Sequence, residues 1–264
     1  MTDTIDPNPP VRSEVRGALS LLTLDRPPHN LVEYSLLQGI LDGLSEAVES
    51  GARAVLLKSA LRNFSAGADL ELFTQDTGDN DAASGPSVTE FLDRVESCPL
   101  PIVTAIHGVC LGGGLEIALA TDYIIAARSA RIGSVEVTLG LHPIMGGVQR
   151  QVERVGLVRA KEMSMLGRRY DPETLAGWGL INAVVDDEKL DDAALAIAEE
   201  LANGPSIANA ATKALARVAA NEGIAAADAA MGELQKPIWK SEDLQTGLNS
   251  FMRRGPGQAR FAGR

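Results

Sequence analysis

Two short runs of almost unbroken apolar residues, "RAVLLKS" (53–59) and "PIVTAIHG" (101–108), constrain this chain more than any other feature. A run this short, with no polar alternation, fits a strand buried on both faces, as in a parallel sheet covered by helices. "YIIAA" (123–127) and "LINAVVD" (180–186) read the same way, and "ALSLLTLDRPPHN" (18–30) begins as a strand before its prolines end it. Between them, "YSLLQGILDGLSEAVES" (34–50) places Leu37, Ile40, Leu41, Leu44 and Val48 on one side of a helix. A further helix is expected over 87–97, and the acidic, small-residue stretch 74–87 reads as a loop. From about residue 190 onward the pattern is helical alone. Strands alternating with helices, followed by helices only, predict an α/β body with a helical C-terminal appendage. The expected boundaries are a loose tail at 1–10, a core at 11–195 and a helical region at 196–264.

Composition narrows the function classes. The 264 residues are 45% hydrophobic but only 4% aromatic, which suits an aliphatic, alanine-rich α/β core. A net charge of −11 repels nucleic acid and anionic membranes at long range, so neither is an expected partner. The longest apolar stretch, 99–120, contains two prolines, His107, three consecutive glycines and Glu116, which argues against a membrane span. Cys98 and Cys110 sit in apolar contexts without metal-ligand spacing and read as reduced thiols of a cytoplasmic protein; no metal is expected. The opening "MTDTIDPNPP" lacks the basic and apolar regions of a secretion signal.

Small residues follow both strand-like runs, in "FSAGADLELF" (64–73) and in "HGVCLGGGLEIALATD" (107–122). Glycines opening a helix leave backbone N–H groups bare at its positive end, where an anion or a developing oxyanion is stabilised. Equally, Gly112, Gly113 and Gly114 can serve only close helix–strand packing. A phosphate loop is excluded because no Lys-Ser/Thr follows, and the dinucleotide pattern fails because Ile117 stands where its third glycine belongs. Ser65 lies in "NFSAG", not in the G-x-S-x-G of a nucleophile elbow. Glu116, in the first turn of the glycine-led helix, is either a dipole-favoured cap or a reactive carboxylate. Glu136, set among Val135, Val137 and Leu139, is either a solvated edge residue or a carboxyl kept for acid–base work. Together, two carboxylates and two bare N–H groups would hold a water, protonate a carbon and take up the charge of an enolate.

The three segments "FSAGADL" (64–70), "HGVCLGGGLEIALATD" (107–122) and "GSVEVTLGLHPIMGGVQR" (133–150), in this order, resemble the enoyl-CoA hydratase/isomerase (crotonase) family. The resemblance runs from "LDRPPHN" through "GRRYDPETLAGWGLINAVVDD" (167–187) to the helical tail. It implies a spiral of ββα turns with a helical C-terminal region used for trimerisation, often with trimers paired into hexamers. It also implies an acyl-CoA thioester as the partner, with coenzyme A as part of the substrate and no separate cofactor. The leading activity is addition of water to a 2-enoyl-CoA. Rivals on the same scaffold are double-bond isomerisation, decarboxylation and C–C hydrolysis. A non-catalytic binding protein, including an RNA binder, is disfavoured by the two glutamates and the acidic charge.

Carried over residue by residue, the resemblance makes Ala68 and Gly113 the oxyanion-hole N–H donors, Glu116 the base toward water and Glu136 the proton donor to the α-carbon. Ala66, Asp69, Leu70 and Gly112 are then expected beside the thioester and the adenine. The chain departs from the family at Glu71, where a lysine often meets the CoA phosphates, and at "LHPIMGGVQR", where His142, Ile144 and Met145 reshape the wall beside Glu136. His142 is there as a space-filler or as a polar substrate contact; His29 and His107 are read as structural. With Glu71 unsuited to phosphate, Arg26 and the Arg254 of a neighbouring copy are expected to meet it, although Arg253, Arg254 and Arg260 equally fit an ordinary solvated tail.

Overall fold

The computed structural model describes residues 9–69 and 86–264. Leu70, Glu71 and most of the expected 74–87 loop lie outside the described residues. The sheet contains β1 (Val11–Arg16), β2 (Leu19–Leu24), β3 (Ala54–Ser59), β4 (Ile102–Ile106), β6 (Tyr123–Ala127) and β8 (Ala183–Val185), in the order β1-β2-β3-β4-β6-β8. The first pair is antiparallel and every later pair is parallel. A separate parallel pair joins β5 (Val109–Leu111) to β7 (Arg131–Gly133).

Successive residues of a strand point to opposite faces, and both faces here are covered. Leu22, Leu24, Val55, Leu57, Ile102 and Ile106 face one core, where α1 (Tyr34–Glu49) and α2 (Val88–Ser97) add Leu37, Ile40, Leu41, Phe91 and Val95. Their neighbours Leu19, Leu21, Ala54, Leu56, Val103 and Ala105 face the other, against Leu190, Ala194, Ala198 and Ala202 of α6 (Leu190–Ala202). This double cover is why the inner strands β2, β3, β4 and β6 are largely apolar on both faces. Gly43 of α1 lets that helix press on the sheet, because a Cβ there would lie 2.6 Å from Leu22 Cδ2. Val48 does not share the buried side expected of it: it is 45% exposed, and Ala47 takes the inward place.

Of three further helices, one was expected and two were not. The short α3 (Gly113–Leu119) is buried over its whole length. The sequence reading places no element over α4 (Gly147–Leu166), which is broken at Gly156 (φ 76°), or over α5 (Pro172–Trp178), which starts on an Asp171 cap with Pro172 at its first position. The junction expected at 195/196 falls inside α6, which belongs to the sheet because its alanine face closes the second core. The helices beyond it are α7 (Ser206–Glu222), α8 (Ile224–Lys240) and α9 (Glu242–Arg254). The chain end folds back on α9: the Asp243 carboxylate accepts from the N–H groups of Ala262 and Gly263, and Arg53 donates to the Phe261 carbonyl at 2.8 Å.

Candidate active site

Segment 63–67 reaches its place by pairing with the stretch that follows β4. Phe64 N–H donates to His107 O, Ser65 N–H to Val109 O, and Leu111 N–H to Ser65 O. The approach is close enough that a Cβ on Gly114 would lie 2.5 Å from Ser65 Cβ, so close packing does account for that glycine. A buried polar network fixes the other side. Asn30, in the left-handed region at φ 50°, donates from Nδ2 to Ser59 Oγ and to Phe64 O, while Ser65 Oγ donates to Asn30 O. Asn30 and Ser59 were not singled out by sequence reasoning; the contacts span about 30 residues, and no local pattern marks them.

Val32 forms a parallel bridge with Ala68: its N–H donates to Gly67 O and its C=O accepts from Asp69 N–H. In such a bridge the intervening residue directs its own N–H and C=O away from the partner strand. The Ala68 N–H is thereby turned away from Val32, on a residue that lines a cleft of about 670 Å³. Gly113, at the first position of α3, lines the same cleft, and its N–H has no intrahelical acceptor. A Cβ on Gly113 would approach Val32 Cγ2 to 3.3 Å, so Val32 adjoins both the Ala68 segment and the start of α3.

Glu116 is 1% exposed and does not cap its own helix. Its Oε1 instead accepts from the N–H groups of Met145 (2.7 Å) and Gly147 (2.8 Å), across the entrance to α4. Burial raises its carboxyl from an ordinary 4.5 to about 7; the Gly147 and Met145 N–H groups pull it back, and the Glu136 charge adds to the rise. Glu136 opens a 3-10 turn (Glu136–Leu139) that ends on left-handed Gly140, with Leu141 N–H closing onto Glu136 O. Its two carboxylate oxygens are buried and, among the described residues, have no hydrogen-bond partner. Burial raises this carboxyl too, with its own backbone N–H and then the nearby His142 opposing. Gly112 (φ 50°) brings the start of α3 against it: a Cβ there would lie 3.4 Å from Glu136 Oε1. The arrangement therefore presents one anchored carboxylate, one unsatisfied carboxylate and two backbone donors to a single cleft.

Glu116, Glu136, Ala66, Ala68, Asp69, Gly112 and Gly113 all line that cleft. The N–H of Ala66 is occupied by His29 O. Arg26 is not among the cleft residues; its guanidinium is forked onto the Glu33 carboxylate and lies 3.9 Å from Asp69 Oδ2. Arg254 is exposed at the end of α9 and is not among the cleft residues.

A model of the enoyl-CoA hydratase/isomerase family matches residues 14–262. The chain belongs to that family. A protein of Rhodobacter capsulatus named probable enoyl-CoA hydratase is 30% identical over 254 residues, covering 96% of this chain and 98% of its own length. A carnitinyl-CoA dehydratase of Citrobacter koseri is 32% identical over 204 residues, 76% of this chain and 77% of that one. The crystal structure of an enoyl-CoA hydratase subunit I from Geobacillus kaustophilus matches with a TM-score of 0.88 at 27% identity, covering 97% of this chain and 98% of the other. The α/β body with its mixed sheet and C-terminal helices is thus the crotonase fold. Among the described residues, no helix is long and apolar enough to cross a membrane.

Proposed function

We propose that this family member is an enoyl-CoA hydratase, adding water across the 2,3-double bond of an acyl-CoA thioester. The observation that carries the reading is the contrast between two carboxylates in one cleft: Glu116 Oε1 is held by two backbone N–H groups, while both Glu136 oxygens lack a hydrogen-bond partner among the described residues. An anchored carboxyl near neutrality is suited to exchange a proton with water, and an unsatisfied buried one to carry a proton to carbon. Relatives named as a hydratase and a dehydratase support water as the second reactant.

In this reading Glu116 takes a proton from water as the oxygen bonds to the β-carbon. The electron pair of the double bond moves onto the thioester, and the resulting enolate oxygen is stabilised by the Ala68 and Gly113 N–H groups. Glu136 gives its proton to the α-carbon, and the proton held by Glu116 returns the pair to its starting charge. The sum is one water added and no change of oxidation state, so the chemistry needs no cofactor beyond the coenzyme A of the substrate. Each oxyanion donor contributes about 100- to 1,000-fold in rate. The working form is proposed to be a cytoplasmic homotrimer or a dimer of trimers.

The test is loss of conjugated absorbance from a 2-enoyl-CoA, with product identification to separate hydration from isomerisation, decarboxylation or C–C hydrolysis. Glu136→Gln keeps volume but cannot cycle a proton, and a fall of about 100- to 10,000-fold is expected. A variant retaining more than about a tenth of the wild-type rate removes Glu136 from the mechanism.

A further inference from the structure

The two glutamates come from different parts of the chain, and contacts to both lead back to α4. The start of that helix grips Glu116 through the Gly147 N–H. One turn further along the same face stands Gln151. Gln151 is buried, and so is Ser134, two residues before Glu136. Gln151 Nε2 donates to Ser134 Oγ at 2.5 Å, and its Oε1 accepts from Ser164 Oγ at 3.1 Å. Neither Gln151 nor Ser134 is among the cleft residues.

The carboxamide joins three segments. Ser164 lies 13 residues beyond Gln151 in α4. In an unbroken helix the two would stand about 20 Å apart, out of reach of each other. The break at Gly156 turns the second half of α4 back, so that they meet. That second half also backs the 3-10 turn: a Cβ on Gly167, just past its end, would lie 2.7 Å from Val137 Cγ1. Beside Ser134, the Gly133 carbonyl accepts from the Gly112 N–H at 3.0 Å, which ties the end of β7 to the start of α3. The Glu136 carboxylate has no hydrogen-bond partner among the described residues, so its place is inherited from its backbone. A side-chain hydrogen bond from α4 fixes that backbone, through Gln151 and Ser134. A buried amide satisfied at both ends resists displacement, because losing one partner leaves a polar group unpaired away from water.

We infer that Gln151 is a positioning residue for the reaction: acting through Ser134, it sets where the Glu136 carboxyl stands relative to Glu116 and the Gly113 N–H. The inference rests on the proposed acid–base role of Glu136 and names the group that holds that acid in place. An apolar side chain of similar volume would fill the space without fixing the turn.

Two reactions read the position of Glu136. One is hydration of a 2-enoyl-CoA. The other is exchange of the α-protons of butanoyl-CoA in deuterium oxide, followed by NMR. There Glu136 removes a proton and returns a deuteron, and no water adds to carbon. Gln151→Met, which keeps the volume and loses both hydrogen bonds, is compared with Ser134→Ala and with the double variant. Displacement of a reacting group on the order of 1 Å costs about 100-fold, so Gln151→Met should slow both reactions by about 10- to 100-fold. The Michaelis constants should stay within about twofold, because the amide touches no substrate. Ser134→Ala should reproduce the loss. The double variant should be no slower than the worse single one, since two groups acting through one contact are not additive. Hydration lost with exchange intact, or an additive double variant, overturns the assignment. If Gln151→Met does not fold, Ser134→Ala decides alone, and wild-type rates in it overturn the assignment as well. A wild type whose α-proton exchange is slowed by Gln151→Met, yet which hydrates no 2-enoyl-CoA, would sink the hydratase reading alone. A wild type that does neither would sink both.

Discussion

The Gly147 N–H donates to Glu116 Oε1 at 2.8 Å, and a Cβ on Gly147 would lie 2.9 Å from that same oxygen. The glycine therefore supplies a donor and, by having no side chain, the space in which the carboxylate sits. Gly147→Ala must push the Glu116 carboxyl aside or shift the start of α4. Misplacement of a reacting group on the order of 1 Å costs about 100-fold. We expect the turnover number for a 2-enoyl-CoA to fall by about 10- to 100-fold, with the Michaelis constant little changed. Steady-state kinetics decide it; a variant at wild-type turnover would show that this contact does not position Glu116.

Stability should carry the mark of Glu116. Its carboxyl stands at about 7 in the fold against an ordinary 4.5, so the folded chain holds a proton that the unfolded chain has released. The stabilisation is fully present below about 4.5 and is lost as pH rises through 7. A shift of this size corresponds to about 3 kcal/mol. Glu116→Gln can still accept from Met145 and Gly147 but cannot ionise. Its melting temperature should gain on the wild type as pH is raised from 5 to 8. Parallel melting curves across that range would refute the raised carboxyl.

The C-terminal helices expose large apolar side chains: Ile224 is 76% exposed, Trp239 70% and Met252 75%, and α7 has no buried residue in the single chain. Such a surface is characteristic of an interface. Light scattering should give the mass of three or six chains. Trp239→Glu combined with Phe251→Glu should shift the protein toward monomer. A wild type that stays monomeric at micromolar concentration would exclude the trimer.

The proposed substrate carries a polyanionic coenzyme, while the chain has a net charge of −11. Arg26 is already forked onto Glu33, whereas Arg254 stands exposed at the end of α9. Arg254→Ala should raise the Michaelis constant for acyl-CoA several-fold with little effect on turnover, since a phosphate contact binds ground and transition states alike. An acyl-pantetheine lacking the nucleotide should be insensitive to the change. Equal weakening of both substrates would show that Arg254 does not read phosphate.

What could be read without coordinates follows the range of the signal. The strands β2, β3, β4 and β6 announce themselves because double-faced burial leaves few polar residues in a short run. The edge strand β1, "VRSEVR", was not anticipated: only Val11 is buried, so its charges hide the strand. The pairing of "FSAGADL" with "GGGLE" as two halves of one site was legible only through the family resemblance, because no periodicity connects segments some 45 residues apart.

The sequence by itself determined the layered α/β body, the helical C-terminal region, the family and the two glutamates worth testing. Only the tertiary structure decided what those glutamates are. Whether Glu116 caps its helix or reaches elsewhere depends on Met145 and Gly147, about 30 residues downstream, and local dipole arguments favour both outcomes equally. Whether Glu136 is a solvated edge or a desolvated acid depends on Gly112 and α3 closing over it. Arg26 reads as a free cation until Glu33 is seen in its fork. Hydropathy and turn chemistry act over a few residues and are written in order along the chain. Desolvation and hydrogen-bond partnership, which set the chemistry of a carboxyl, come from groups that meet only after the chain has folded.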